Sequence, residues 1–152
     1  MSKSGHFEAG GIPEEMWKGI QQHMGYSDEE MARLKKGKFA KVLPVMASPA
    51  VQGKSMVIEV VESHGCAEGM KKGDKLYFTG CSNLDPSRSS RWCAYNMSHI
   101  TNFANLCHNM LLQGLDPNLM YSNHFSCMDC GSEHGLGLVV SKVSIIDEPQ
   151  KA

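Results

Sequence analysis

Residues 55–62 read SMVIEVVE, a run rich in β-branched side chains that predicts a β-strand. Met56, Ile58 and Val60 alternate along this run, so that they lie on one face of the strand. The segment ends at His64-Gly65-Cys66. A turn at residues 72–74 leads into a second predicted strand at residues 75–79, and a last strand is predicted at residues 138–146. These strands predict a small β-sheet.

A long helix is predicted between the second and the last strand, at residues 92–113. Its apolar residues recur at alternating steps of four and three, which is the spacing of one helix face: Cys93, Met97, Ile100, Ala104, Cys107 and Leu111. The segments 82–91 and 121–135 are polar or rich in Cys, His and Gly, and both are predicted to be loops. Strands on both sides of one helix predict an α+β fold, with a small antiparallel or mixed sheet packed on that long helix.

The front of the chain predicts an N-terminal helical hairpin. Pro13 suits the first turn of a helix that ends before Gly25. Ser27 followed by Glu30 is the pattern of a capping box for a second helix at residues 28–36.

Two further segments of this front section carry expectations. Residues 1–12 are polar and glycine-rich, a composition that normally frays at a terminus; a partner that pins this arm is one interpretation, and an arm without a partner is the other. Residues 41–53 contain Pro44 and Pro49 and are expected to be extended. We therefore divide the chain into an N-terminal arm and hairpin, residues 1–54, and a cysteine-containing α+β core domain, residues 55–152.

Composition excludes several classes of function. The chain has 152 residues, with 15 basic and 16 acidic side chains, so it lacks the excess positive charge of a nucleic-acid-binding protein. It has no apolar run of about 18 residues that could span a membrane, and its start lacks the apolar core of a signal peptide. A cytoplasmic location is therefore expected. There the six cysteines are expected to be thiols or metal ligands rather than disulfides. No glycine loop of the type that cradles phosphates is present, which disfavours a nucleotide cofactor.

The densest group of potential metal ligands is His124-x2-Cys127-x2-Cys130-x3-His134. A C-x-x-C turn can present two thiolates to one ion, and each flanking histidine adds an imidazole. Zinc fingers, however, separate their two ligand pairs by a dozen or so residues, because the chain must turn around a tetrahedral ion. We therefore expect Cys127, Cys130 or both to combine with ligands from elsewhere in the chain.

Other cysteines supply candidates for those ligands. His64 and Cys66 are two residues apart at the end of the first strand, so they point the same way. Cys93 lies at the predicted start of the long helix, where the helix dipole favours a thiolate. Cys107 lies fourteen residues later, about 21 Å along a helix, and is expected to be a core residue. The role of Cys81 stays open.

Three stretches of the chain carry a resemblance: VIEVVESHGCAEGMKKGDKLYF, then WCAYNMSHI at the helix start, then CMDCG before the closing strand. Across residues 55–147 they resemble a family of small, largely uncharacterised cysteine-containing proteins of anaerobic microbes. The resemblance implies eight matched positions, namely Cys66, Gly69, Gly73, Asp74, Gly80, Cys93, Cys127 and Asp129. It also implies anaerobic metabolism and a small companion protein of a larger enzyme.

The preferred interpretation is a metal-binding accessory subunit of a multi-subunit anaerobic enzyme, with an aromatic carboxylase or decarboxylase as the candidate parent. Zinc or iron would be held by Cys66, Cys93 and Cys127, and Cys130 or His64 would complete the set. The expected partner is another subunit or a second copy of the chain. One alternative is a free-standing metal-dependent enzyme in which His64, Glu62 or Asp129 acts as acid or base. The other is an interaction module without metal. Whether the chain is itself an enzyme stays open.

Overall fold

The computed structural model describes residues 12–148, apart from the side chains of residues 97 and 98. The predicted N-terminal arm lies almost wholly outside these residues. The chain forms two compact units that divide between Ser48 and Pro49.

Residues 12–48 of the first unit form three helices: α1 (Glu14–Met24), α2 (Asp28–Lys36) and α3 (Phe39–Met46). Gly25 ends α1 in the left-handed conformation, with φ of 67°, which glycine adopts without a steric penalty. At the start of α2 the Ser27 hydroxyl accepts a hydrogen bond from the Glu30 N–H, and the Glu30 carboxylate accepts one from the Ser27 N–H. This capping box satisfies backbone donors that a helix start leaves unpaired. The Ser27 hydroxyl also donates to the Glu30 carboxylate, and the hydrogen bonds that this carboxylate accepts from the Ser27 N–H and hydroxyl lower the pKa of Glu30.

The expectation of an extended segment at residues 41–53 is wrong. This part of the chain forms most of α3 and, in the second unit, the short helix α4 (Pro49–Gln52). Pro44 lies inside α3 and removes one backbone hydrogen bond. The helix nevertheless places Phe39, Leu43 and Met46 along one side, where they line an apolar groove of the first unit. Pro49 occupies the first position of α4, where its missing N–H costs nothing.

The second unit contains a five-stranded antiparallel sheet with the order β3-β2-β1-β5-β4. Its strands are β1 (Lys54–His64), β2 (Lys75–Thr79), β3 (Asn83–Leu84), β4 (His124–Ser126) and β5 (Leu138–Asp147). The α+β class is thereby confirmed, and the sheet is antiparallel throughout. The short edge strands β3 and β4 lie in segments that were expected to be loops.

Strand β1 is central, and its first half is buried on both faces from Ser55 to Ile58. The helix α5 (Met97–Leu112) contacts β1 and supplies buried Ile100, Cys107 and Leu111 to the core. This helix begins later than residue 92, where the apolar spacing placed its start. A 3-10 turn, Ala94–Asn96, precedes it, and there the Asn96 N–H donates to the Cys93 carbonyl at 3.1 Å. Cys93 therefore lies just before this turn rather than inside the long helix.

Candidate thiol site

Three cysteines from three separate parts of the second unit line one cavity of about 520 Å³, which we call the thiol cavity. Cys66 follows β1, Cys93 precedes the 3-10 turn, and Cys127 directly follows β4. All three are half-buried, and they pack against a cluster of buried apolar side chains: Val60, Met70 and Val139. Residues far apart in the sequence thus meet at one place in the fold.

Cys66 reaches the cavity because two glycines let the ends of β1 and β5 approach closely. Gly65 has φ of 64°, and a Cβ there would lie 2.9 Å from the Leu136 carbonyl oxygen. A Cβ at Gly137 would collide with the backbone of Gly65. Only glycine permits this backbone contact, and the contact brings Cys66 next to the loop that follows Cys127.

Cys127 is held by backbone hydrogen bonds to β5. Its N–H donates to the Val139 carbonyl at 2.9 Å, and the Val139 N–H donates to the Cys127 sulfur at 3.3 Å. The hydrogen bond to Sγ orients the thiol. Hydrogen bonds of this kind to cysteine sulfurs also surround protein-bound metal centres, whose properties they tune.

Asp129 organises the loop between β4 and β5. Its carboxylate accepts hydrogen bonds from the backbone N–H groups of Cys130 at 2.9 Å, Leu136 at 2.9 Å and Gly137 at 2.8 Å. These bonds, led by that from Gly137, lower the pKa of Asp129. Asp129 lines the thiol cavity, but its oxygens already serve three donors. In this arrangement the carboxylate positions the loop that carries Cys127.

The remaining predicted site residues lie outside the lining of the thiol cavity. Glu62 and His64 are exposed near the end of β1. Cys130 is exposed as well, and its sulfur lies 3.5 Å from the Met128 carbonyl oxygen. Within residues 12–148 no group of three or more His, Cys, Asp or Glu side chains is already arranged to hold a metal ion. The structure thus brings Cys66, Cys93 and Cys127 to one cavity, whereas Cys130 and His64 do not line it.

The last two cysteines are fully buried in the core. Burial raises the pKa of the Cys81 thiol to about 11. The pKa of Cys107 is raised to about 12, mainly by burial and further by the charge of Cys81. Both are therefore neutral thiols at physiological pH. The prediction that Cys107 is a core residue agrees with this burial.

Sequence reasoning missed the polar and aromatic residues of the thiol cavity, which are Asn96, Trp92 and Tyr95. Asn96 is 1% exposed, whereas Trp92 and Tyr95 are 44% and 59% exposed. The only sequence signal was their position around Cys93. Nothing in the local pattern distinguishes an asparagine that lines a cavity from one that faces water.

Comparison of the chain with profiles of known protein families, with curated proteins and with solved structures finds no match. Among the described residues, no helix combines the length and the apolar character that crossing a membrane requires.

Proposed function

We propose that the protein is a small metal-binding accessory subunit of a multi-subunit enzyme of anaerobic metabolism. The observation that carries the proposal is the convergence of Cys66, Cys93 and Cys127 on one cavity. Thiolates are preferred ligands of zinc and of iron in iron–sulfur centres. Three thiols from different parts of the chain that line the same cavity could supply the ligands of such a site.

Metal binding would draw the three sulfurs together. Each cysteine lies outside the strands and helices and is only half-buried, so a change of its side-chain rotamer does not alter a strand or a helix. A structural zinc site needs a fourth protein ligand, whereas a catalytic site keeps one position open. Cys130 is a candidate for the fourth ligand because it is on the same loop as Cys127, and His64 is another because it is two residues from Cys66.

The accessory role is supported by the first unit. There the three helices form an apolar groove of about 680 Å³, and its lining includes the exposed side chains of Met16, Met24 and Phe39. Methionine-rich apolar grooves suit protein partners because methionine adapts its shape to them. The anaerobic setting, and an aromatic carboxylase or decarboxylase as parent enzyme, rest on the resemblance at residues 55–147.

A free-standing metal-dependent enzyme is the second candidate, and the thiol cavity itself favours it. An open metal position beside a cavity of about 520 Å³ would have room for a substrate. The groove of the first unit would serve equally well in an interaction module without metal. Metal content and association separate these three functions.

The first experiment is elemental analysis of the full-length protein, purified from its native source without oxygen. We expect close to one equivalent of zinc, or iron in a fixed ratio to protein. Less than about a tenth of an equivalent of any transition metal, together with freely titratable thiols, would contradict the metal function.

The second experiment tests association. In the full-length protein, Ile20→Glu places a charge in the apolar groove, and Gln22→Glu places the same charge on an exposed position of α1. We expect only Ile20→Glu to abolish an oligomer, or co-purification with a larger subunit. A wild-type protein that is monomeric and purifies alone would contradict the accessory role.

A further inference from the structure

The helices of the first unit bury few of their apolar side chains. Of residues 12–48 only Trp17 and Met31 are buried, and α3 contributes no buried residue. The other apolar side chains of these helices line the groove, where Met16, Met24 and Phe39 are 41%, 52% and 53% exposed. Apolar surface contributes to stability only when another surface removes it from water. The groove is therefore suited to association, and three features of α1 indicate what fills it.

The first feature is a glycine at the centre of α1. Gly19 is the sixth of the eleven residues of this helix and lines the groove. Its φ is not positive, so the backbone conformation does not require glycine, and glycine is a poor helix former. A Cβ at this position would have no neighbour within 4 Å. Nothing in the described chain requires a glycine here, whereas a second backbone that approaches α1 closely would require one.

The second feature is acidic charge at the start of α1. Glu14 pairs with Lys35 of its own chain at 3.0 Å, but Glu15 is exposed and forms no ion pair among the described residues. Glu15 lies four residues before Gly19, and side chains at this spacing are neighbours on a helix. The free carboxylate therefore lies at the edge of the groove.

The third feature is basic charge at the opposite end of α1. His23, in the last turn, lines the groove. Just beyond that turn, Tyr26 and Phe39 line both the groove and an adjoining hollow, which Arg33 also lines. The Lys38 ammonium lies 5.6 Å from the centre of the Phe39 ring. Neither Arg33 nor Lys38 forms an ion pair within the described part of the chain.

From these features we propose that the groove binds α1 of a second copy of the chain, with the two α1 helices antiparallel around a two-fold axis near Gly19. A two-fold interface uses the same surface on both copies, so that surface must be complementary to itself. An axis at the centre of α1 places Glu15 of each copy near His23 and Lys38 of the other. The two Gly19 residues let the helices approach closely, and the apolar linings cover each other.

This inference rests on the proposed role of the groove as an association surface and names its occupant. The groove extends along α1 from Met16 to Met24, about 12 Å at 1.5 Å per residue, which matches two turns of a facing helix. A larger subunit would then contact a different surface of the dimer.

The first test measures the dimer dissociation constant of the reduced full-length protein by sedimentation equilibrium over a range of concentrations. In Gly19→Leu the new side chain occupies the space of the second helix, so the dissociation constant should rise about tenfold or more. Leucine is the better helix former, so this variant should stay folded, which circular dichroism checks. The matched control Gln22→Leu, at an exposed position of α1 outside the groove lining, should stay within about twofold of the wild type.

The second test uses charge reversal. Glu15→Lys and Lys38→Glu each place like charges together at both ends of the helix pair, so each should raise the dissociation constant about three- to tenfold. A mixture of the two variants should form a heterodimer with an affinity close to that of the wild type, because both ends then pair opposite charges. This recovery also shows that both variants are folded.

Three results would each overturn the proposal: a wild-type protein that stays monomeric at about 100 μM, a Gly19→Leu variant that dimerises like the wild type, and a mixture of charge variants that associates no better than each variant alone. A monomer that co-purifies with a larger subunit would refute the dimer but keep the accessory role. A dimer without metal would refute only the metal function, which elemental analysis judges separately.

Discussion

Two cysteines near α5 should respond in opposite ways to mutation. Cys93 lines the thiol cavity, whereas Cys107 is fully buried in the core. We expect Cys93→Ser to lose bound metal and Cys107→Ala to keep full occupancy. If the site is structural, Cys93→Ser should also lower stability, because the free energy of metal binding is then part of the free energy of folding.

The position of Cys107 in the structure sets the size of the effect expected for Cys107→Ala. Cys107 lies ten residues beyond the first residue of α5, which is about 15 Å along the helix axis. Its neutral thiol, with a pKa of about 12, is a packing group rather than a ligand. Removing the sulfur should cost about 1 kcal/mol for the small cavity left behind. In a unit of this size that corresponds to a fall of about 4–8 °C in the midpoint of unfolding.

Both variants would be prepared without oxygen and assayed for metal content and for the unfolding midpoint. Thiol alkylation gives a further measurement: in the wild type, bound metal should protect Cys66, Cys93 and Cys127 from alkylation. Cys81 and Cys107 should stay unreactive with or without metal because both are fully buried. Equal metal loss in the two variants, or loss only in Cys107→Ala, would refute the placement of Cys93 in the site.

Three further outcomes follow from local geometry. In Gly137→Ala the added Cβ should collide with the backbone of Gly65, lower the stability by about 1–3 kcal/mol and disrupt the metal site. The control Gly19→Ala, in α1, meets no neighbour within 4 Å and should raise the stability by up to about 1 kcal/mol. Metal content and thermal unfolding test both variants. The pKa of Asp129 is lower in the folded chain than in the unfolded chain, so its contribution to stability is fully present above the unfolded pKa of about 3.9 and is lost as the pH falls toward the folded pKa. The NMR signal of the Gly137 amide proton, which Asp129 accepts, should shift in this acid transition. The shift should be absent in Asp129→Asn. Ser27→Ala removes the acceptor of the capping box, so it should cost about 1 kcal/mol, seen as lower helicity by circular dichroism on heating; an unchanged profile would contradict the role of the cap.

Local patterns were enough to predict much of the secondary structure. The alternation in residues 55–62 identified β1, and the Ser27–Glu30 pair identified the start of α2, because each depends on neighbours in the sequence. The α+β class followed from the order of these elements. Local rules failed at Pro44, where the apolar side of α3 outweighs one lost hydrogen bond. They also failed at β4, whose three residues pair with β5 across the sheet.

The sequence by itself determined which residues were chemically capable, and it ranked Cys66, Cys93 and Cys127 above Cys107. Tertiary structure alone decided that these three cysteines line one cavity. The antiparallel pairing of β1 and β5 and the Gly65–Gly137 contact bring the end of β1 next to the start of β5. It also left Cys130 exposed and buried the side-chain oxygen of Asn96 without a hydrogen-bond partner among the described residues. The ability of a side chain to bind a metal depends on its own functional group, which the sequence states directly. The distances between such side chains and their burial depend on contacts between residues far apart in the chain, and no local pattern encodes those contacts.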